Sequence, residues 1–479
     1  MIELASLTRY PTLATRLAAS ASATGGAVLD DAGVQRWLED RRRVHRQRVR
    51  LVPLDEMRGW HFRPGLGDLR HRSGRFYSVQ GLRVSTDTGP VREWSQPIIN
   101  QPEIGILGIV VREINGLLHC LVQAKTEPGN VNGIQLSPTV QATRSNYTRA
   151  HGGATVPYLE HFRRSAAGSG TVLADVLQSE QGAWFYCKRN RNMIVEVGPE
   201  VEAGEDFCWL TLRQLNRLLA VDNLVNMDTR TVLSCMPGWH RAPDGDRQSL
   251  HTEVEIRSWL TEQLSEHTVT ARLMPLPSVH EGGWQVRPDR ITHRDGRYFD
   301  IVGTEVDSNT REVPSWCQPL LRPRGTGIAA LLVRYHHGVP HALVNATVEA
   351  GYRDVVELGP TVQCTPENYT QFGPEHQPRY LDLVRSAPAG SVLFDSVLSE
   401  EGGRFYHATT RYLIVDVGEG LPAAPPQFHW MSLPQLTEFL KYSHYVNVQA
   451  RTLVAALRSV LDRAREPREQ IPKGEPWSR

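Results

Sequence analysis

Lys125 and Glu127 stand two residues apart in the run LHCLVQAKTEPGN, a spacing that puts both side chains on one face of a strand. An amine and a carboxylate held side by side perturb each other's proton affinity. A lysine withdrawn from water can also give and take protons near neutrality, which arginine cannot. In a strand from Leu117, one face takes Leu118, Cys120, Val122 and Ala124, all apolar or small, and the other takes His119, Leu121, Gln123, Lys125 and Glu127. The alternation predicts one side packed on a core and the other lined with polar groups. The plainer reading of the two charges is an exposed ion pair of little consequence, and the sharper one is a proton-handling site.

Lysine is scarce, occurring only at Lys125, Lys188, Lys441 and Lys473, and arginine carries nearly all the positive charge. The formal net charge of +1 gives no electrostatic case for nucleic acid or an anionic membrane surface. Six scattered cysteines without a C-x-x-C pair argue for reduced thiols in a cytoplasm rather than disulfides or structural zinc. No run reaches transmembrane length. The segment MIELASLTRYPTLATRLAASASATGG lacks the apolar core of a signal peptide and is expected to be a loosely ordered arm.

The elements that must position this chemistry are written twice. Trp37, Gly74, Trp94 and Thr139 lie 222 residues before Trp259, Gly296, Trp316 and Thr361, each in a matching run. TVQATRSNYT is answered by TVQCTPENYT, SEQGAWFY by SEEGGRFY, and IVEV by IVDV. A chain of 479 residues is too long for one ordinary core, and this period is too long for a solenoid, so a duplicated domain is predicted. The expected order is an N-terminal arm over 1–29, a first copy over 30–236, a linker over 237–250, a second copy over 251–465 and a tail over 466–479. Each copy opens on a helical pattern, Val34, Trp37, Leu38 or Ile256, Trp259, Leu260, Leu264, continues in strand-like runs, and closes in helical ones. That order predicts an α+β domain built around a mixed or antiparallel sheet, the mixed form being the one expected for each copy.

G-x-x-x-x-G-K-[ST], H-E-x-x-H and G-x-S-x-G are absent. GTGIAA from Gly325 fits a dinucleotide fingerprint on paper, but it precedes a strand-like run and is discounted. No metal cluster and no redox cofactor can be argued.

The run QAKTEPGNVNGIQLSPTVQATRSNYT, preceded by WSQPIINQPEIGILGIVVRE and joined by SEEGGRFYHATTRYLIVDV, closely resembles the NDP-hexose 2,3-dehydratases of deoxysugar biosynthesis. The likeness runs from about Val34 to the final helix. It implies two Nudix-like domains from a duplication, a homodimer, and no metal or cofactor, since neither copy carries the G-x5-E-x7-R-E-x-x-E-E signature. The implied reaction removes water from dTDP-4-keto-6-deoxyglucose, with a 3-ketoreductase following. A non-catalytic nucleotide-sugar binding protein is the alternative, and a Nudix-type hydrolase comes third.

For that chemistry, Glu127 or a lysine of lowered proton affinity would carry the proton, with Lys125 otherwise holding the enolate. Gln123, Asn130, Gln135, Thr139 and Gln141 are candidate substrate contacts, as are Asn146 and Tyr147, with Arg144 and Arg149 for the pyrophosphate. Gln363, Asn368 and Tyr369 mark the second pocket, for which TVQ, NYT, SEEGG and Glu349 are retained. That pocket has lost Lys125, Asn130, Gln135 and Arg144 to Thr347, Tyr352, Glu357 and Pro366. Glu357 is expected to add negative charge where an anionic nucleotide would lie, so catalysis is expected in the first copy.

Overall fold

The computed structural model describes residues 11–143, 156–163, 170–238, 249–311 and 313–465. Each copy opens on its predicted helix, Asp31–Val44 and Glu253–Glu266. The Asp30 carboxylate accepts from the Gly33 N–H, and Thr252 and Glu255 form a reciprocal capping box, which satisfies first-turn donors. Val34 and Leu38, and in the second copy Ile256, Trp259 and Leu260, turn into the cores.

The apolar runs build a seven-stranded sheet in each copy. In the first it runs Thr171–Ser179, Arg189–Glu196, Gly105–Ile114, Leu117–Thr126, Phe207–Thr211, with Ile134–Pro138 and Val140–Ala142 on the two central strands. Arg189–Glu196 lies parallel to Gly105–Ile114 and the other pairings are antiparallel, so the sheet is mixed as expected. The second copy repeats this plan around Gly327–His336 and Val339–Val348. Gly327 thus opens a strand, which agrees with discounting the glycine run.

The two five-stranded sheets cross the boundary between copies. Gln47–Val52 of the first copy pairs antiparallel with Phe299–Ser308 of the second, and Val269–Met274 pairs in return with Ser78–Thr86. Glycine permits each exchange. A Cβ on Gly81 would stand 2.9 Å from the Pro275 carbonyl oxygen, and one on Gly303 would stand 2.5 Å from that of Val52. Between these sheets lies an apolar core drawn from both copies, including Trp60, Tyr77, Phe185, Trp284, Phe299 and Phe405.

Two expectations are corrected. Within the expected loose arm, Leu13–Ser22 is a helix capped by Thr12, with Leu17 and Ala21 in the first core. Leu13, Leu17 and Ala21 recur every four residues, one face of a helix, and the Ser20 hydroxyl donates to the Leu118 carbonyl at 2.6 Å. The predicted polar face of Leu117–Thr126 is buried over its first half. Leu121 packs with Val110, Val140, Phe162 and Trp209, because Gly108 leaves room for the Phe162 ring over the sheet.

Candidate active site

The other end of that face holds the candidate site. Lys125 Nζ donates to Gln141 Oε1 at 2.8 Å, and Gln141 Nε2 donates to Glu127 Oε1 at 2.9 Å. Lys125 and Glu127 stand 3.8 Å apart directly, with side chains 11% and 7% exposed. This is a nearly dry pair joined through an amide, not the exposed pair of the plainer reading. The strand fixes Lys125 opposite Gln135, Val140–Ala142 lies on the neighbouring strand and presents Gln141, and Glu127 begins the turn that follows. Burial lowers the Lys125 ammonium to about 8, helped by the Arg311 guanidinium and opposed by Glu127, Asp228 and Glu401. Arg311, from a hairpin of the second copy, donates to the Thr126 carbonyl at 2.6 Å and lies 4.0 Å from Glu127.

The second copy also supplies a loop to this site. Gly129 N–H donates to the Gly402 carbonyl at 2.7 Å, and His407 N–H donates back to that of Gly129 at 2.9 Å. The approach is so close that a Cβ on Gly129 would fall 1.7 Å from the Phe405 carbonyl oxygen. Fully buried Arg230 secures the loop's base, donating to the carbonyls of Val225 and Ser399 at 2.6 and 2.8 Å. The loop carries Glu401, whose carboxyl burial raises to about 7, with Arg404 and Lys188 acting to lower it and Glu180 and Glu127 to raise it. Glu401 is enclosed by protein yet keeps an edge open to solvent. Asp228, in the first turn of the helix Met227–Ser234, is pushed well above the carboxylate range by burial and by Glu401, Glu180 and Glu127.

Sequence reasoning missed Asp228, Glu401 and Arg311. Contrast between the copies points to the first two, since Asp228 corresponds to Gln449 and Glu401 to Gln181. SEEGG, read as retained for the second pocket, belongs to the first copy's site, because the loops cross over between the copies.

Of the proposed contacts, Asn130 is drawn to this turn, donating to the Gly133 carbonyl at 2.8 Å, and Gln123 lies on the strand two residues before Lys125. Thr139 is not in the site. Its hydroxyl donates to the Leu121 carbonyl and accepts from the Val110 N–H at 2.9 Å inside the sheet. Gln135 is fully buried between the copies, donating to Ser399 Oγ at 2.8 Å. Glu357 is its mirror, accepting from the Ser179 hydroxyl, and burial raises its carboxyl to about 8. The expectation that Glu357 adds charge on a ligand face is therefore corrected: it is a mostly protonated group sealed in the interface. Arg144, Asn146, Tyr147 and Arg149 lie outside the described residues.

The corresponding site of the second copy has different contents. Gln363 donates to Glu349 Oε1 at 2.7 Å, and Asn447 donates to Gln363 Oε1 at 2.8 Å and to the Tyr352 hydroxyl at 3.1 Å. Ala183 N–H donates to Glu349 Oε2 at 3.1 Å. Thr347 stands where Lys125 stood. Asn368 accepts from the Tyr298 N–H at 3.3 Å, and Tyr369 ends the same short helical turn, Pro366–Tyr369. A cavity of about 170 Å³, lined in part by Cys187, Glu349, Tyr352 and Arg353, opens beside this second site. Among the described residues, no group of three or more His, Cys, Asp or Glu side chains is placed to hold a metal ion, and no helix is long and apolar enough to cross a membrane.

The profile of the NDP-hexose 2,3-dehydratases matches residues 31–236 and 253–457, both copies nearly end to end. The chain belongs to this family. Among its relatives are three proteins named dTDP-4-dehydro-6-deoxy-alpha-D-glucopyranose 2,3-dehydratase. The one from Amycolatopsis orientalis is 45% identical over 95% of each chain. That from Saccharopolyspora spinosa is 48% identical over 88% of this chain and 90% of its own, and that from Streptomyces violaceoruber is 47% identical over 91% and 98%. A solved Nudix hydrolase from M. smegmatis, RenU, is similar over 30% of this chain and 91% of its own at 17% identity, with a TM-score of 0.19, too low for argument. In this member of the dehydratase family, the Lys125–Gln141–Glu127 group and the two carboxyls facing it form the candidate active site.

Proposed function

We propose that this chain removes water from dTDP-4-keto-6-deoxyglucose, giving the 3,4-diketo-2,6-dideoxy sugar with its nucleotide attached. The observation that carries the reading is a lysine held near neutral proton affinity within a hydrogen-bonded group, in a chain of this family. The ketone at carbon 4 acidifies the proton on carbon 3. Lys125, as the amine, takes that proton, and the electrons settle on the carbon 4 oxygen as an enolate. Arg311 and the surrounding donors offset the developing charge. Collapse of the enolate expels the carbon 2 hydroxyl as water, and the enol left behind tautomerises to the ketone at carbon 3. One carbon is oxidised as its neighbour is reduced, so the balance needs no external oxidant.

Glu127 and Gln141 hold Lys125 and tune it. Gln123 and Asn130 contact the sugar, and Arg144, Asn146, Tyr147 and Arg149 contact the nucleotide. The enzyme works as a homodimer in the cytoplasm, and its reactive diketone passes to a 3-ketoreductase. Incubation with dTDP-4-keto-6-deoxyglucose followed by mass spectrometry tests the reading. A product lighter by one water with the nucleotide intact is expected. An unchanged sugar would indicate a binding protein, and cleavage at the pyrophosphate a hydrolase.

A further inference from the structure

We infer that Glu401, lent by the second copy, is a catalytic acid of the first copy's site and gives its proton to the departing carbon 2 hydroxyl. The inference rests on the dehydratase reading and extends it to a group that nothing near Lys125 in the chain suggests.

Three observations carry it. The first is location: the backbone pairing of Gly129 with Gly402 and His407 fixes the Glu401 loop against the turn that holds Glu127. The second is space. Gly403 follows Glu401 by two residues, and a Cβ placed on it would lie 3.4 Å from Glu401 Oε1 and 3.5 Å from Glu127 Oε1. Two carboxyl groups on different copies therefore border one small volume that a glycine leaves open, at the site that holds Lys125. The third is contrast within the molecule. In the loop of the first copy, which serves the second site, Gln181 and Ala183 replace Glu401 and Gly403. There the loop's residue 183 donates its own N–H to Glu349, and the acid and the opening are missing together.

Glu401 also has the proton affinity the step needs. Burial, with Glu180 and Glu127 adding to it and Arg404 and Lys188 opposing, raises its carboxyl to about 7, so it is partly protonated at neutral pH, and its charge acts in turn on Lys125 and Asp228. In the elimination, carbon 3 has already given its proton to Lys125. The C2–O bond breaks as C2=C3 forms, and the Glu401 O–H proton leaves with the oxygen as water. Tautomerisation returns the books to zero: the Lys125 ammonium protonates carbon 2 and the carbon 3 hydroxyl proton goes back to the Glu401 carboxylate.

Glu401→Gln, which installs the residue of the other loop, tests this in the full chain with dTDP-4-keto-6-deoxyglucose in deuterated water. Dehydration should fall by roughly 100-fold or more in kcat, with dTDP affinity by calorimetry unchanged. Exchange of the carbon 3 hydrogen with solvent should persist, since that step precedes the acid's. Glu401→Asp, which keeps the acid, should retain more dehydration than Glu401→Gln. Unimpaired dehydration in Glu401→Gln, joint loss of exchange and dehydration, or an aspartate no better than the amide would each overturn the assignment. Failure of the unaltered enzyme to dehydrate this sugar would instead overturn the dehydratase reading.

Discussion

The two sites of this chain share a scaffold and differ in what can hold a proton. Around Gln141 stand Lys125, Glu127, Asp228 and Glu401; around its counterpart Gln363 stand Thr347, Glu349, Gln449 and Gln181. One carboxylate survives and three ionisable groups become neutral. Asn447, donating to Gln363 and to the Tyr352 hydroxyl, extends the second network. The difference separates scaffold from chemistry. The fully buried Arg230 and Arg451, which anchor the crossing loops, are the same in both halves. The lysine and two of the three carboxyls are present in one, while the second site keeps Glu349, whose carboxyl burial raises to about 7.

The largest effect that could break this contrast lies at Lys125. Lys125→Thr, which copies the second site, should lower turnover by roughly 10²–10⁴-fold with little change in dTDP affinity. Steady-state kinetics beside calorimetry would check it, and normal turnover would return Lys125 to the scaffold.

A smaller asymmetry is expected one layer out. Gln141→Ala removes the amide joining Lys125 to Glu127 and should cost roughly 10–100-fold in kcat. Gln363→Ala should leave kcat within about twofold, provided thermal denaturation shows an intact fold. Equal losses would mean that both sites take part.

The pH profile sharpens the same point. With Lys125 needed as the amine and Glu401 as the acid, activity should rise toward neutrality, level between about 7 and 8, and fall above. Glu401→Gln should abolish the alkaline fall, leaving what activity remains to rise through about 8 and stay there. A profile of unchanged shape would count against both assignments.

The smallest effect concerns stability. Glu357 has a folded-state proton affinity raised from 4.5 to about 8, so the folded chain holds a proton that the unfolded chain releases between those values. Its contribution is fully present below about 4.5 and is lost as pH climbs through about 8. Glu357→Gln, which restores the first copy's residue, should therefore gain on the unaltered protein over that range. The gain should be on the order of 3 kcal/mol, read from denaturant melts at pH 5 and pH 8.5. No gain would mean that the interface tolerates the ionised carboxylate.

Much of this was legible in the sequence. The constant offset betrayed the duplication, the alternation in LHCLVQAKTE found Lys125 and Glu127, and the discounted glycine run proved to be a strand. What was not legible came from pairings between the copies. QRVRLV reads as a strand, but the same pattern fits a sheet in either copy, so the exchange leaves no local mark. SEEGG was assigned by proximity to the copy that contains it. Asp228 reads as an ordinary acid in a helix's first turn, a favourable position that needs no other explanation. Gln135 and Thr139 looked like ligand contacts because a buried polar side chain and a site-facing one have the same letters. The docked helix Leu13–Ser22 was missed because its three apolar anchors are diluted among Ala, Ser and Thr.

The exchanged strands have a mechanical consequence. Six residues of each half are hydrogen-bonded along a strand of the other, Gln47–Val52 on Phe299–Ser308 and Val269–Met274 on Ser78–Thr86. A protease nick between residues 238 and 249 would sever the backbone without parting the halves, which remain clasped like linked hands. Heating should then melt both halves in a single cooperative transition, because neither can lose its fold without stripping an edge from its neighbour.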